Sequence, residues 1–142
     1  MVGILIATHG DISRSLLETA VDLVGEPATS AAAITLDDKQ DRTQAWDSLV
    51  AAVDSVDSGD GVLLLVDMFG STSSTLALSL LADKCVEVLT GVNLAMVLRA
   101  LLNRGETDLP ALAEDVLSYG RRNVTSSATW LGTSGQNEGN ER

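Results

Sequence analysis

The chain has 142 residues, of which 45% are hydrophobic and 3% aromatic, so we expect one domain with an aliphatic core. Its net charge of −11 excludes the basic face that nucleic-acid binding requires and favours basic or apolar partner surfaces. The single cysteine, Cys85, excludes an internal disulfide framework, and its place at the start of an apolar strand predicts a buried thiol. No apolar run is long enough to span a membrane and residues 1–8 lack a basic signal-peptide start, which predicts a cytoplasmic protein without membrane insertion.

Four apolar runs are typical of strands that are buried on both faces of a parallel sheet. The first run ends in Thr8-His9-Gly10, and the third is followed directly by Asp67. The predicted strands are residues 1–8, Ala31–Leu36, Val62–Val66 and Val86–Leu89.

Segments with apolar residues at helical spacing follow each strand. The predicted helices are Ser13–Val24, 41–56, 75–81, Leu94–Arg104 and 108–119. Asp41 is a predicted N-cap, and Asp108 with Pro110 marks the start of the last helix. The alternation predicts an α/β fold, with a mostly parallel doubly wound sheet of four strands and helices on both faces.

Beyond Gly120 the pattern weakens. Residues 123–125 are compatible with a short edge strand, and we expect a single domain over residues 1–132. From residue 133 the chain is rich in Gly, Ser, Asn and Glu, which predicts a disordered tail over residues 133–142. Trp130-Leu131 is an apolar island that either packs back on the domain or contacts a second subunit.

The only histidine, His9, follows the first predicted strand, where parallel sheets gather ligands and chemistry. If the first and third strands are neighbours, His9 and Asp67 converge. A carboxylate that accepts a hydrogen bond from one imidazole nitrogen fixes the tautomer and leaves the other nitrogen as a nucleophile. Two plainer interpretations stay open, in which His9 is an ordinary turn residue and Asp67 merely ends a strand.

The loop from Gly70 to Ser74 opens the third helix with small and hydroxyl residues, which suits an anion at a helix N-terminus. Ser73 or Ser74 could instead be a plain N-cap, and Asn93 could only cap the fourth helix. One histidine without thiolate partners is a poor set of metal ligands, and the nucleotide-binding glycine motifs are absent, so neither a metal site nor a nucleotide enzyme is expected.

Together these segments resemble the enzyme IIA domain of the mannose class of the sugar phosphotransferase system. The resemblance covers about residues 2–122 in the family's order and spacing. Its segments are Ile4–Gly10, Leu16–Ala20, Leu23–Gly25, Gly61–Gly70 and Leu89–Met96.

The resemblance implies a cytoplasmic phosphocarrier, a phosphotransferase component that needs no cofactor. His9 would accept a phosphoryl group from an HPr-type donor and pass it to a IIB-type partner in sugar uptake. Asp67 would orient His9, and Gly70, Ser71 and Thr72 would bind the phosphoryl oxygens. Thr8, Gly10 and Asn93 are the predicted supporting residues.

The resemblance also implies a homodimer that exchanges a short antiparallel C-terminal edge strand near Arg122–Thr125.

The rim of the site departs from the family pattern. Gly-Gly-Ser-Pro has become Gly70-Ser71-Thr72-Ser73, the asparagine that usually follows this loop is Thr75, and the proline after Gly-Val-Asn-Leu is Ala95. The alternative is therefore a regulatory phosphoprotein whose His9 controls a partner without sugar transport. Neither interpretation names a sugar.

Overall fold

The computed structural model describes residues 1–25, 27–37, 39–68, 72–82 and 85–137, and only the backbone at residues 72–74 and 133–137. Its strands are β1 (Gly3–Thr8), β2 (Ala31–Thr35), β3 (Val62–Val66) and β4 (Val86–Leu89). They form one sheet in the order β2-β1-β3-β4, and every neighbouring pair is parallel. The predicted four-stranded parallel sheet is confirmed.

Helices follow the strands as the apolar spacing predicts. They are α1 (Ile12–Val24), α2 (Arg42–Val56), α3 (Thr72–Ser79), α4 (Leu94–Asn103), α5 (Leu109–Arg122) and α6 (Ser127–Asn137), with a 3₁₀ turn at Leu80–Ala82 after α3. Asp41 caps α2 as predicted, since its carboxylate accepts from the backbone N–H of Gln44 at 3.3 Å. None of the helices in the described part of the chain is long and apolar enough to cross a membrane.

The core consists of two apolar layers, one on each face of the sheet. Ile4 and Ile6 of β1 face a layer built with α1, α4 and α5, whereas Leu5 and Ala7 face a layer built with α2 and α3. This alternation follows from the two-residue period of a strand. Because both faces are covered, β1 and β3 are buried along their whole length, and only the ends of these strands can present groups to a partner.

The C-terminal segment differs from the predicted edge strand. Helix α5 continues to Arg122, and residues 123–126 are a turn and coil without strand structure. Ser126 then caps α6, because its hydroxyl accepts from the backbone N–H of Thr129 at 3.1 Å. An edge strand needs a partner strand for its hydrogen bonds, whereas a helix satisfies most of its own, so the single chain forms a helix here.

Helix α6 also enters the segment that composition assigned to a disordered tail. The backbone of residues 133–137 is helical, and residues 138–142 lie outside the described residues. Trp130 and Leu131 are 65% and 62% exposed, so most of the surface of this apolar island faces solvent. Contact of the island with a second subunit stays a prediction.

Cys85 corrects another expectation, because it is exposed rather than buried. It lies one residue before β4, outside the strand whose apolar run suggested a buried position.

Candidate functional site

The site lies at the carboxyl edge of the two central strands, β1 and β3. Ala7 of β1 is paired with Val66 of β3, so the residues that follow these strands emerge side by side. His9 Nδ1 lies 2.6 Å from Oδ2 of Asp67. The predicted convergence of His9 and Asp67 is confirmed, and it is a direct consequence of the parallel pairing of two strands that are distant in sequence.

The Asp67 carboxylate is held by more than the imidazole ring. The backbone N–H of His9 donates to the same oxygen at 3.0 Å, and the backbone N–H of Met68 donates to Oδ1 at 3.0 Å. The Asp67 side chain is 15% exposed and the His9 side chain 32%, so the acceptor is sheltered while the ring reaches solvent. The carboxylate is therefore fixed from both oxygens and can in turn fix the ring.

Two opposing effects set the pKa of Asp67. Burial of the carboxyl group raises the pKa, whereas the hydrogen bonds from the His9 ring and the His9 backbone N–H lower it, and the net pKa lies below the ordinary value for aspartate. Asp67 is thus ionised at neutral pH. An ionised carboxylate only accepts hydrogen bonds, so Nδ1 carries the hydrogen and the lone pair of a neutral ring is on Nε2.

The turn that carries His9 is held by buried and exposed hydroxyl groups. The Thr8 side chain is fully buried, donates to the carbonyl of His9 at 3.1 Å and accepts from the backbone N–H of Ser13 at 2.8 Å. Gly10 has a φ of +52°, a left-handed conformation that favours glycine. Thr35 of β2 donates its hydroxyl hydrogen to the carbonyl of Gly10 at 2.7 Å.

Two of these hydroxyl residues were not predicted from the sequence. Ser13 is buried in the first turn of α1 and donates to the carbonyl of Ile34 at 2.9 Å, and Thr35 ends β2 next to the turn. A serine at a helix start and a threonine at a strand end are common in any α/β protein. Only the pairing of β2 with β1 brings them to the His9 turn.

The remaining predicted site residues are placed as follows. Asn93 caps α4, with its side-chain oxygen accepting from the backbone N–H of Met96 at 3.1 Å, which is the capping alternative. Gly70 and Ser71 lie outside the described residues, and Thr72 is described only as the backbone start of α3. Among the described residues, no group of three or more His, Cys, Asp or Glu side chains could hold a metal ion.

Comparison with known sequences identifies relatives of the chain. The family described as EIIA-man, PTS system fructose IIA component, matches residues 3–117. The PTS system mannose-specific EIIAB component of Escherichia coli K12 is 31% identical over 106 residues, which are 74% of this chain and 32% of that protein. The chain therefore spans about a third of the length of the curated relatives it matches.

Comparison with solved structures identifies the same fold. The phosphotransferase system component EIIA from Streptococcus agalactiae superposes with a TM-score of 0.80 at 22% identity, over 91% of this chain and 99% of that one. The mannose/sorbose-specific IIA subunit from Enterococcus faecalis superposes with a TM-score of 0.78 at 24% identity, over 88% and 93% of the two chains. At this level of identity the likeness establishes the fold.

Proposed function

This chain belongs to the IIA family of phosphotransferase-system components, and we propose that it is a phosphocarrier that holds the phosphoryl group on His9. The observation that carries the proposal is the 2.6 Å contact between His9 Nδ1 and the Asp67 carboxylate. It supports a ring that is oriented and deprotonated at Nε2, the nitrogen that would attack phosphorus.

The chemical step needs no redox partner and no water. The Nε2 lone pair of His9 forms a bond to phosphorus while the bond between phosphorus and the donor atom breaks, and the donor keeps that electron pair. The His9 ring gains positive charge, which the ionised Asp67 stabilises through the Nδ1–H hydrogen bond. Positioning and charge stabilisation supply most of the catalysis in phosphoryl transfer. The hydrogen-bonded turn that carries His9 would supply the positioning, and the Asp67 carboxylate would supply the charge stabilisation.

The oxygens of the phosphoryl group would be bound by Gly70, Ser71 and Thr72. Helix α3 begins at Thr72, a short connection after Asp67, and the free N–H groups of a helix start favour an anion. Thr8 and Gly10 would support the site by holding the His9 turn, and Asn93 by fixing the start of α4.

The donor would be an HPr-type protein and the acceptor a IIB-type protein in sugar uptake. The name of the Escherichia coli relative joins A and B components, which supports a IIB-type acceptor. The regulatory alternative begins with the same phosphohistidine and differs in the acceptor. Transfer of the phosphoryl group from this chain to a IIB-type protein would therefore distinguish the two roles.

The direct test is incubation with phosphoenolpyruvate, enzyme I and HPr, followed by mapping of the phosphorylated residue. We expect one phosphoryl group per chain, labile to acid and stable to base, on His9. The His9→Gln variant should accept none and should keep the wild-type fold. Acid-stable phosphate, or phosphate that persists in His9→Gln, would falsify the proposal.

We also propose that the chain forms a homodimer through its C-terminal segment. Val124, Trp130 and Leu131 are 75%, 65% and 62% exposed, and an 11-residue helix is too short to be stable by itself in water. Light scattering should give twice the mass of one chain. The double variant Trp130→Ser with Leu131→Ser should have the mass of a single chain. Leu78→Ser, at another exposed leucine, should remain dimeric; a monomeric wild type at micromolar concentration contradicts the proposal.

A further inference from the structure

A small cavity opens at the carboxyl end of β4. It has a volume of about 190 Å³ and lies between the turn after β4, the start of α4 and the end of α5. The N–H of Val92 donates to the carbonyl of Val66 at 2.9 Å, which joins this turn to the end of β3. The cavity is therefore at the same edge of the sheet as His9, two strands along from β1, and the proposed phosphocarrier role does not use it.

Close packing of α5 against α4 forms one side of this cavity. A Cβ atom on Gly120 would lie 2.4 Å from Cγ of Met96, so only a glycine allows the two helices to approach this closely. Because the end of α5 reaches the start of α4, the next residue, Arg121, lines the same cavity as Thr90 and Gly91.

The cavity is lined by hydrogen-bond donors that have no partner in the described part of the chain. The guanidinium of Arg121 makes no hydrogen bond or ion pair there, and the Thr90 hydroxyl and the Gly91 N–H make no hydrogen bond. The side-chain oxygen of Asn93 accepts from the Met96 N–H, which leaves its Nδ2 group to donate. This Nδ2 lies 3.6 Å from the Cβ position of Gly120, at the wall of the cavity.

These donors favour a ligand that only accepts hydrogen bonds, which is an anion. No Asp or Glu lines the cavity, although the chain has 20 of them. The planar guanidinium of Arg121 matches the two oxygens of a carboxylate. The remaining lining side chains, Met96, Leu117 and Val124, are apolar. The cavity therefore suits a molecule with one charged end and one apolar end.

The volume of the cavity limits the size of this molecule. About 190 Å³ holds about six water molecules at about 30 Å³ each. Sites for drug-sized ligands begin at about 300 Å³, so a nucleotide or a sugar phosphate is too large. A carboxylate with a short carbon chain fits.

We propose that this cavity binds a short-chain carboxylate of about four carbon atoms. Its carboxylate group contacts Arg121 and the Asn93 amide, and its carbon chain lies against Met96 and Leu117. Binding is non-covalent. The inference does not rest on the phosphocarrier role of His9, because no residue that would take part in phosphoryl transfer lines the cavity.

The first test compares butyrate with butyramide, which has the same shape and no charge. Each is titrated into the isotopically labelled full chain, and NMR follows the Gly91 amide, the Asn93 side-chain amide and the Arg121 Nε–H. We expect a Kd of about 1 mM for butyrate and binding of butyramide that is about tenfold weaker or more. Equal binding of the two compounds would overturn the proposal, as would tighter binding of inorganic phosphate, which has no apolar end.

The second test compares two adjacent arginines that are both exposed. Arg121→Gln should weaken butyrate binding about tenfold or more, because it removes the charged partner of the carboxylate. Arg122→Gln is the matched control, since it changes the net charge equally. Arg122 does not line the cavity, and its Cζ lies 5.6 Å from the ring centroid of Tyr119. Equal loss of binding in the two variants would mean general attraction of anions and would overturn the proposal.

A third comparison asks whether a second copy of the chain covers the cavity, because Val124 also belongs to the proposed dimer surface. We expect the same Kd for butyrate in the wild type and in the double variant Trp130→Ser with Leu131→Ser. Binding in the double variant alone would show that a second copy fills the cavity, and this too would overturn the proposal. None of these titrations involves phosphoryl transfer, so their outcome is independent of the role of His9.

Discussion

The two edges of the sheet are built in opposite ways. At the carboxyl edge, His9 is 32% exposed on its side chain, and the next residue, Gly10, has open space where a Cβ atom would lie. At the amino edge, a Cβ atom on Gly3 would lie 2.5 Å from the carbonyl oxygen of Val56. One edge leaves room around its side chains, and the other brings backbone against backbone.

Hydrogen bonds to backbone carbonyls also close the amino edge of the sheet. The N–H of Val2 donates to the carbonyl of Arg104 at 3.0 Å, and the N–H of Gly3 donates to the carbonyl of Gly61 at 2.9 Å. The Arg104 side chain, with a residue exposure of 8%, donates to the carbonyl of Ser30 at 3.3 Å. Burial lowers the pKa of this guanidinium, which nevertheless stays charged.

The difference shows how one parallel sheet separates stability from chemistry. Strands that are buried on both faces leave only their ends available, and helices in a parallel sheet begin at the carboxyl edge. Polar groups placed at that edge can act on a partner, whereas the amino edge can be closed by direct packing. Substitutions at the two edges should therefore affect different measurements.

The largest expected effect on stability is at the amino edge of the sheet, where backbone packs against backbone. Gly3→Ala would place a methyl group against the Val56 carbonyl, and we expect a loss of about 3 kcal/mol in the free energy of unfolding. Gly105→Ala is the control, because no atom lies within 4 Å of the added Cβ there. Denaturant unfolding checks both, and a Gly3→Ala protein as stable as Gly105→Ala would show that this edge can open.

The largest expected effect of a conservative change on phosphoryl transfer is at the carboxyl edge of the sheet. Asp67→Asn keeps the shape and removes the charge that holds the Nδ1–H tautomer of His9, so we expect phosphoryl acceptance to slow about 100-fold. Rapid-quench kinetics with phospho-HPr measures this rate. Asp47→Asn should match the wild type, and a similar match for Asp67→Asn would leave Asp67 as a strand terminator.

One residue should affect both measurements, because Thr8 links the His9 turn to α1. Thr8→Val removes the hydroxyl and leaves the Ser13 N–H without its partner, which should cost about 1–2 kcal/mol of unfolding free energy. Transfer should slow less than in Asp67→Asn. Thr43→Val, at an exposed threonine, is the control for both the unfolding curves and the transfer rates. If Thr8→Val changed neither measurement, that result would contradict the proposed support of the turn.

The smallest expected effect is a shift in the titration of Asp67. Its folded-state pKa lies below the ordinary value, so its contribution to stability is present above about pH 3.9 and is lost as pH falls through the folded-state pKa. Carboxyl-carbon NMR should find the midpoint below about 3.9. In His9→Ala the midpoint should rise, because burial still raises the pKa of Asp67 while the hydrogen bond from the ring is gone. An unchanged midpoint would mean that the His9 ring does not lower the pKa of Asp67.

Apolar periodicity determined most of the architecture. The third and fourth strands begin and end at the predicted residues, because a strand buried on both faces needs an unbroken apolar run that polar residues bound sharply. The pairing of His9 with Asp67 was predicted as a condition on neighbouring strands, and the observed β1–β3 pairing meets it. A unique histidine after an apolar run was the signal from which the candidate site was predicted.

Tertiary structure alone decided the parts that depend on contacts between distant segments. The Thr35–Gly10 hydrogen bond exists because β2 pairs with β1, and no local pattern encodes that contact. The segment after Arg122 had weak propensity for strand or helix, so its helix depends on the Ser126 cap and the absence of strand pairing in the single chain. Local patterns determine which segments become regular, whereas the neighbours of each segment determine which of its side chains can act.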